Sequence, residues 1–189
     1  MTELRIVRSR RKTLALQVLP TGEIVARAPL RLPERDIHAF AEQHAAWLKA
    51  AVARARAGSL AAQRAGILSE TELQRLRTAA RADLTERVTR LAARMGVDFA
   101  GITIRAQRTR WGSCSSAGNL NFNCLLMLAP ESVLNYVVVH ELCHRKHMDH
   151  SPAFWQEVAR MLPDYKKEEA WLRGEGRVLL MRMKSGREE

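Results

Sequence analysis

The chain has 189 residues, of which 27% are charged and 47% are hydrophobic, and its net charge at pH 7 is +11. This composition is typical of a soluble globular protein with one or two domains, and the apolar runs are too short for a transmembrane helix. The first residues lack the apolar core of a signal peptide, so we predict a cytoplasmic protein without a membrane partner. The three cysteines form no C-x-x-C pair, which argues against a disulfide framework.

More than half of the net positive charge precedes residue 61. Residues 1–60 hold 11 basic and 5 acidic side chains, a net charge of +6, and the densest basic cluster is Arg8, Arg10, Arg11 and Lys12. Such an excess predicts an anionic partner, and these four side chains could bind nucleic-acid phosphates without sequence preference. The alternative interpretation is a solvated basic surface with no specific partner.

The amino-terminal third predicts a small sheet followed by helices. Alternating apolar residues in 4–8, 13–18 and 23–28, with a turn signal at 20–22, predict three strands of an antiparallel meander. Pro33 begins a helix with apolar residues at three- and four-residue steps. His38 and His44 are six apart on it, a poor spacing for one metal ion, so we predict structural or surface roles for both. Residues 53–66 are the most linker-like segment, although part of it could be helical.

This linker predicts an amino-terminal β-meander and helix region at residues 1–66 and a second domain at 67–189, with one compact domain as the alternative. In the second part, Ser69 and Glu72 form a capping-box signature that begins a long helix, which ends at Gly96. Residues 101–105 and 119–123 predict two antiparallel strands, separated by a turn-rich run. Two strands beside a helix would offer an edge for peptide binding.

The helix that follows Pro130 contains the pattern His140-Glu141-x-x-His144. Histidines four apart lie on one helical face, one turn from each other, and can bind one metal ion at about 2.0–2.1 Å. Glu141 lies beside that face, where its carboxylate can act as general base on a metal-bound water. The valines before His140 predict a buried helix, in which such polar groups need partners. The alternative is an ordinary helix that has two histidines by chance.

A third ligand is expected beyond the helix. In a continuing helix His147 would lie about 10 Å along the axis from His140, too far for one ion to bind both. His150 has the spacing of the last histidine in H-E-x-x-H-x-x-G-x-x-H, and His147 takes the place of the glycine. We therefore predict His150 as the ligand and His147 as either a turn residue, since histidine tolerates positive φ, or a support behind the ligands. Ser151 and Pro152 then begin another helix.

The cysteines have simpler predicted roles. Cys143 lies between the histidines and is predicted to be a small packing residue, because Glu141 and the histidines already supply the chemistry. Cys114 and Cys124 could in principle form a second metal site, which is kept as an alternative.

Several motifs together resemble one known family. They are Arg8–Thr13, Arg110-Trp111-Gly112-Ser113-Cys114, Tyr136–His144, His150-Ser151, Phe154-Trp155 and Pro163-Asp164-Tyr165. With them the chain resembles the YgjP-like family of zinc metallopeptidases, relatives of the SprT-type zincin proteases. The resemblance implies an active-site helix with His140, His144 and His150 as metal ligands and Glu141 as catalytic base. The predicted fold class is thus α+β: an antiparallel meander with helices, and a zincin-like core with an antiparallel sheet.

The leading functional hypothesis is a zinc-dependent metallopeptidase that uses a zinc-bound water activated by Glu141, with nickel or manganese as alternative metals. The candidates to stabilise the oxyanion are Tyr136, Arg110, Trp111 and Asn121. A second hypothesis is a metal-dependent nucleoside triphosphate pyrophosphohydrolase, because the basic excess favours a polyphosphate, although the sequence has no P-loop. A third is a DNA-associated protease or nucleic-acid-binding module that uses the basic cluster.

Overall fold

The structure is a computed structural model that describes residues 4–183. The chain divides into two compact units, Met1–Ala65 and Gly66–Glu189. Within residues 4–183, no helix has both the length and the hydrophobicity needed to cross a bilayer. Residues 1–3, which belong to the segment used for the signal-peptide prediction, lie outside the described residues.

The first unit contains a three-stranded mixed sheet of β1 (Leu4–Ser9), β2 (Ala15–Val18) and β3 (Ile24–Pro29) in the order β1-β3-β2. β2 and β3 form an antiparallel hairpin through Gly22, whose φ is +86°. β1 pairs with the other side of β3 in parallel, with Leu4 opposite Ile24. The predicted antiparallel meander is therefore wrong. The hairpin uses only one edge of β3, and β1 supplies the second partner that this largely buried central strand needs.

Two helices follow, α1 (Glu34–Gln43) and α2 (Ala45–Ala65), separated at His44. The ring Nδ1 of His44 is 2.8 Å from the carbonyl oxygen of Phe40, and His38 lies 3.6 Å from Glu34, so both histidines have local contacts. The linker predicted at 53–66 is helical up to Ala65, because alanine and arginine favour helices and one internal glycine costs only about 1 kcal/mol.

The basic cluster of the first unit is partly structural. The guanidinium of Arg8 donates to the carbonyl oxygens of Pro29, Leu30 and Leu32 at 2.7–3.2 Å. Arg10 and Lys12 are exposed, and Arg11 is half-buried. Binding of nucleic acid through this cluster stays a prediction.

The second unit begins with α3 (Glu70–Met95), whose capping box at Ser69 and Glu72 and left-handed Gly96 cap are both as predicted. Its sheet consists of β4 (Gly101–Arg105), β5 (Gly112–Cys114) and β6 (Asn119–Asn123) in the order β4-β6-β5. β4 and β6 are parallel, so the predicted antiparallel pairing of residues 101–105 with 119–123 is wrong. The antiparallel partner of β6 is the short strand β5, which the turn-rich composition concealed. The described residues combine helices with two separate small sheets, which confirms the predicted α+β fold class.

A 3₁₀ helix (Cys124–Leu128) leads into α4 (Glu131–Cys143), which packs against α3, β5 and the next two helices along the chain. Nine of the thirteen residues of α4 are buried, as expected for a helix that is apolar on several sides. Buried Arg87 of α3 bonds to Glu131 and Asn135 of α4 and to Asp83 of its own helix. Three helices complete the unit: α5 (Pro152–Met161), α6 (Tyr165–Arg173) and α7 (Glu175–Met181).

Candidate metal centre

The imidazoles of His140, His144 and His150 converge at the carboxyl-terminal end of α4. Each offers one ring nitrogen, and these three atoms lie within 4.8 Å of one another. The Nε2 atoms of His140 and His150 are 3.1 Å apart, near the separation of about 3.3 Å for two nitrogens on a tetrahedral zinc ion. In the described part of the chain no second group of three or more potential ligands occurs, so Cys114 and Cys124 are not part of one.

The protonation of these imidazoles suits a metal ion. Burial, assisted by the two neighbouring histidines, lowers the pKa of His140 to about 3, and burial also lowers the pKa of His144. Both rings are therefore neutral at pH 7, as metal binding requires. Nδ1 of His144 is 3.0 Å from the carbonyl oxygen of His147. Because Nδ1 donates to that oxygen, the lone pair of Nε2 is left for the ion. Three imidazole nitrogens fit a divalent ion such as zinc.

His147 supports the site through its backbone. Within residues 4–183 no non-glycine residue has positive φ, so of the two roles predicted for His147, a turn residue with positive φ is wrong, and the contact of its carbonyl with His144 fits the other. The chain instead leaves α4 through a tightened last turn, in which the amides of Lys146 and His147 both donate to the carbonyl oxygen of Cys143. This turn directs the carbonyl of His147 toward His144.

Two side chains fasten the loop that leads to His150. The guanidinium of Arg145 donates to the carbonyl oxygens of Asp98 and Ser116 at 3.0 and 3.1 Å. Lys146 lies 2.7 Å from Glu157 of α5. Hydrogen bonds from Arg160 and then Lys146 lower the pKa of Glu157 to about 2. The loop is therefore connected on one side to the segment before β4 and to the turn between β5 and β6, and on the other side to α5.

An aromatic layer lies beneath the imidazoles. Phe154 is fully buried, and its ring centroid is 4.7–4.9 Å from those of the three histidines. Ser151 accepts a hydrogen bond from the Phe154 amide, so the predicted cap of α5 positions both His150, just before it, and Phe154, just inside it. This packing restricts the orientations available to the three rings.

Glu141 lies against a glycine of the neighbouring strand. Its side chain is buried, and a Cβ atom added at Gly112 would be 2.5 Å from Oε1 and 2.8 Å from Cγ. Only glycine allows so close an approach of β5 to the carboxylate. Burial raises the pKa of Glu141 to about 8, against the lowering effect of Arg110. A carboxylate with a pKa near neutrality is suited to accept and return a proton.

A pocket of about 200 Å³ opens beside His140 and Glu141. Two of the four predicted oxyanion candidates, Tyr136 and Trp111, line it. Asn121 does not, because its amide is bonded to Arg105 and Ser113. Arg110 is exposed and affects Glu141 by its charge. The remaining lining includes Leu172 of α6.

Two of these site residues had no role assigned from the sequence. Gly112 belongs to the Arg110–Cys114 motif, but its contact with Glu141 depends on the pairing of β5, which the sequence did not predict. No local sequence pattern marks Leu172 as a site residue, because a single leucine in a largely polar helix is common.

Known proteins resemble this chain over parts of its length. Residues 68–175 match the family described as YgjP-like, metallopeptidase domain. The UTP pyrophosphatase of Escherichia coli (strain K12) is 32% identical over 69 residues, which make up 36% of this chain and 41% of that protein. The match thus spans about two-fifths of the relative's length.

Two solved structures also resemble the chain. They are the metallopeptidase zymogens of Pyrococcus abyssi abylysin, at 22% identity and a TM-score of 0.43, and of Methanocaldococcus jannaschii jannalysin, at 21% and 0.41. Each similarity covers 47% of this chain and 90% of the other.

Proposed function

The chain belongs to the YgjP-like metallopeptidase family, as its motifs predicted, and from this premise we propose that it is a metal-dependent peptidase. In this proposal His140, His144 and His150 hold a divalent ion, with zinc as the first choice and nickel or manganese as alternatives. Glu141 is the catalytic base. The observation that carries the proposal is the convergence of three imidazoles, one of which, that of His140, lines the same pocket as the buried carboxylate of Glu141.

The separate roles of the metal ion and of Glu141 follow from the three histidines that would bind the ion. A divalent ion bound there would supply Lewis acidity, which lowers the pKa of a coordinated water and polarises a carbonyl group. Glu141 is not a ligand in this arrangement, so its carboxylate is free to accept a proton from the attacking water. It then returns that proton to the leaving amine, which its raised pKa favours.

The placement of β5 suits an extended peptide. β5 is an edge strand of its sheet, and it packs against α4 at the level of Glu141. An edge strand can pair with a substrate backbone by adding it to the sheet, which would hold the scissile bond beside the carboxylate. Tyr136 and Trp111, which line the pocket, are the remaining candidates to contact the oxyanion.

The test is the variant Glu141→Gln. Because the ligands are unchanged, one divalent ion per chain is expected by mass spectrometry, while peptide hydrolysis should fall by at least about 10²-fold. Glu86→Gln is the matched control, since Glu86 is an exposed residue of α3 whose carboxylate lies 3.7 Å from Arg90. Full activity of the Glu141→Gln variant, or full activity after removal of the metal by a chelator, would contradict the proposal.

A second candidate function is hydrolysis of a nucleoside triphosphate with release of pyrophosphate. It is favoured by the 32% identity with the UTP pyrophosphatase over 69 residues. The same carboxylate could accept the proton of a water that attacks phosphorus. A panel of nucleotides and peptides, assayed with zinc, nickel and manganese, separates the two functions. Pyrophosphate release without peptide cleavage would replace the first proposal by the second.

A further inference from the structure

The pocket beside the metal centre continues along α4 away from the histidines. It reaches from His140 and Glu141 to Tyr136, one turn earlier on α4, with Trp111 and Leu172 as further walls. Apart from His140 and Glu141, the described residues that line it include no charged side chain. No lysine or arginine is among these lining residues to hold a phosphate or carboxylate, whereas an apolar group placed against Tyr136, Trp111 and Leu172 would lose its contact with water.

The volume of the pocket limits what enters. A pocket for a complete drug-sized ligand has about 300–1,000 Å³, and an apolar cavity of about 150 Å³ is enough for benzene. At about 200 Å³ the pocket beside Glu141 is large enough for one side chain the size of leucine or phenylalanine, but not for a whole nucleotide.

We propose that this pocket binds one apolar side chain of the substrate next to the scissile bond, and that Leu172 determines the size of that side chain. The inference rests on the proposed peptidase function and specifies its substrate class: peptides with a leucine- or phenylalanine-like residue beside the bond that is cleaved.

The three side chains that line this part of the pocket differ in how tightly their neighbours pack against them. Leu172 is the least restricted, so its size can change with the least effect on the surrounding structure. The backbone N–H of Asn123 donates a hydrogen bond to the backbone carbonyl oxygen of Trp111 at 2.8 Å. The Trp111 indole also packs on buried Gly176, where an added Cβ would be 3.1 Å from Cζ2. Tyr136 stacks on Tyr165 with ring centroids 6.2 Å apart. Leu172 is half-buried, and its Cδ2 would be 3.5 Å from a Cβ added at the same glycine, which is a looser approach than that of Trp111.

Substrate preference is tested with fluorogenic peptides that differ at one position beside the cleaved bond. The wild-type protein should cleave the leucine or phenylalanine peptide at least about 10-fold faster, in kcat/KM, than the glycine peptide, as expected for an apolar pocket. Leu172→Trp should abolish this preference while glycine peptides are still cleaved, and Leu172→Ala should shift it toward tryptophan. Leu76→Ala is the control, because Leu76 is a half-buried core residue of α3 outside the pocket. Unchanged preferences in both Leu172 variants would refute the proposal.

A binding measurement separates this inference from the function on which it rests. Leucine hydroxamate and glycine hydroxamate share the metal-chelating group and differ only in the side chain. Calorimetric titration of the zinc-loaded protein should show tighter binding of leucine hydroxamate, by about 10-fold or more, and Leu172→Trp should remove the difference. Failure to cleave any peptide would refute the peptidase function, and equal affinity for the two hydroxamates would refute the pocket.

Discussion

Replacing Gly112 by alanine should displace the proposed catalytic base without touching the metal ligands. The new methyl carbon would be 2.5 Å from Oε1, 2.9 Å from Cδ and 2.8 Å from Cγ of Glu141. Carbon atoms in contact are normally about 3.5–4.0 Å apart, so the carboxylate must move by about 1 Å. A displacement of about 1 Å at a reacting group can lower the rate about 10²-fold. We therefore expect kcat/KM to fall about 100-fold in the Gly112→Ala variant.

The assay compares Gly112→Ala with Gly101→Ala, a variant in β4 of the same sheet. An added Cβ at Gly101 has Asn119 Oδ1 as its nearest neighbour at 3.8 Å, an ordinary contact, so this control should keep wild-type kcat/KM. Both variants should bind one metal ion per chain, because neither glycine belongs to the group of His140, His144 and His150. Wild-type kcat/KM in the Gly112→Ala variant would show that the position of Glu141 is not set by this glycine.

Substitutions at four further positions test the metal centre and its supports. His150→Ala should weaken metal affinity by more than the roughly 10–100-fold that is typical when a residue behind the ligands is removed. His147→Ala should keep the ion, because the contact of His147 with His144 is made by its backbone carbonyl, which the substitution retains. Equal losses of metal affinity in a titration of the two variants would reject this assignment. Glu157→Gln should destabilise the protein at pH 7, because the pKa of Glu157 is lowered to about 2 in the folded state. That stabilisation is complete above about pH 4.5 and is lost as the pH falls toward 2. The free energies of unfolding of the wild-type protein and the Glu157→Gln variant, measured in urea, should therefore converge over this range. A difference that does not change with pH would contradict the ion-pair origin. Arg145→Ala should lower the free energy of unfolding by about 2 kcal/mol, and Arg145→Lys should not restore it, because an ammonium group cannot reproduce the fork of hydrogen bonds. Full restoration by lysine in the same urea assay would show that charge alone suffices.

Features that depend on neighbours along the chain were open to prediction from the sequence. The capping box at Ser69, the Gly96 cap and the Ser151 cap each involve groups within a few residues of one another, so composition and spacing determine them. The shared face of His140 and His144 follows in the same way from the helical period. The family motifs were equally visible, because they are runs of the sequence itself.

The direction of strand pairing, the approach of His150 and the walls of the pocket were decided only by the tertiary structure. β6 pairs with β5 on one edge and with β4, in parallel, on the other, and alternating apolar residues specify neither the partner nor the direction. His150 reaches His140 because a tightened turn and the cap of α5 reverse the chain, and the glycine behind Glu141 comes from a distant strand. Such contacts join residues far apart in sequence, and their formation depends on the packing of whole elements rather than on local preference.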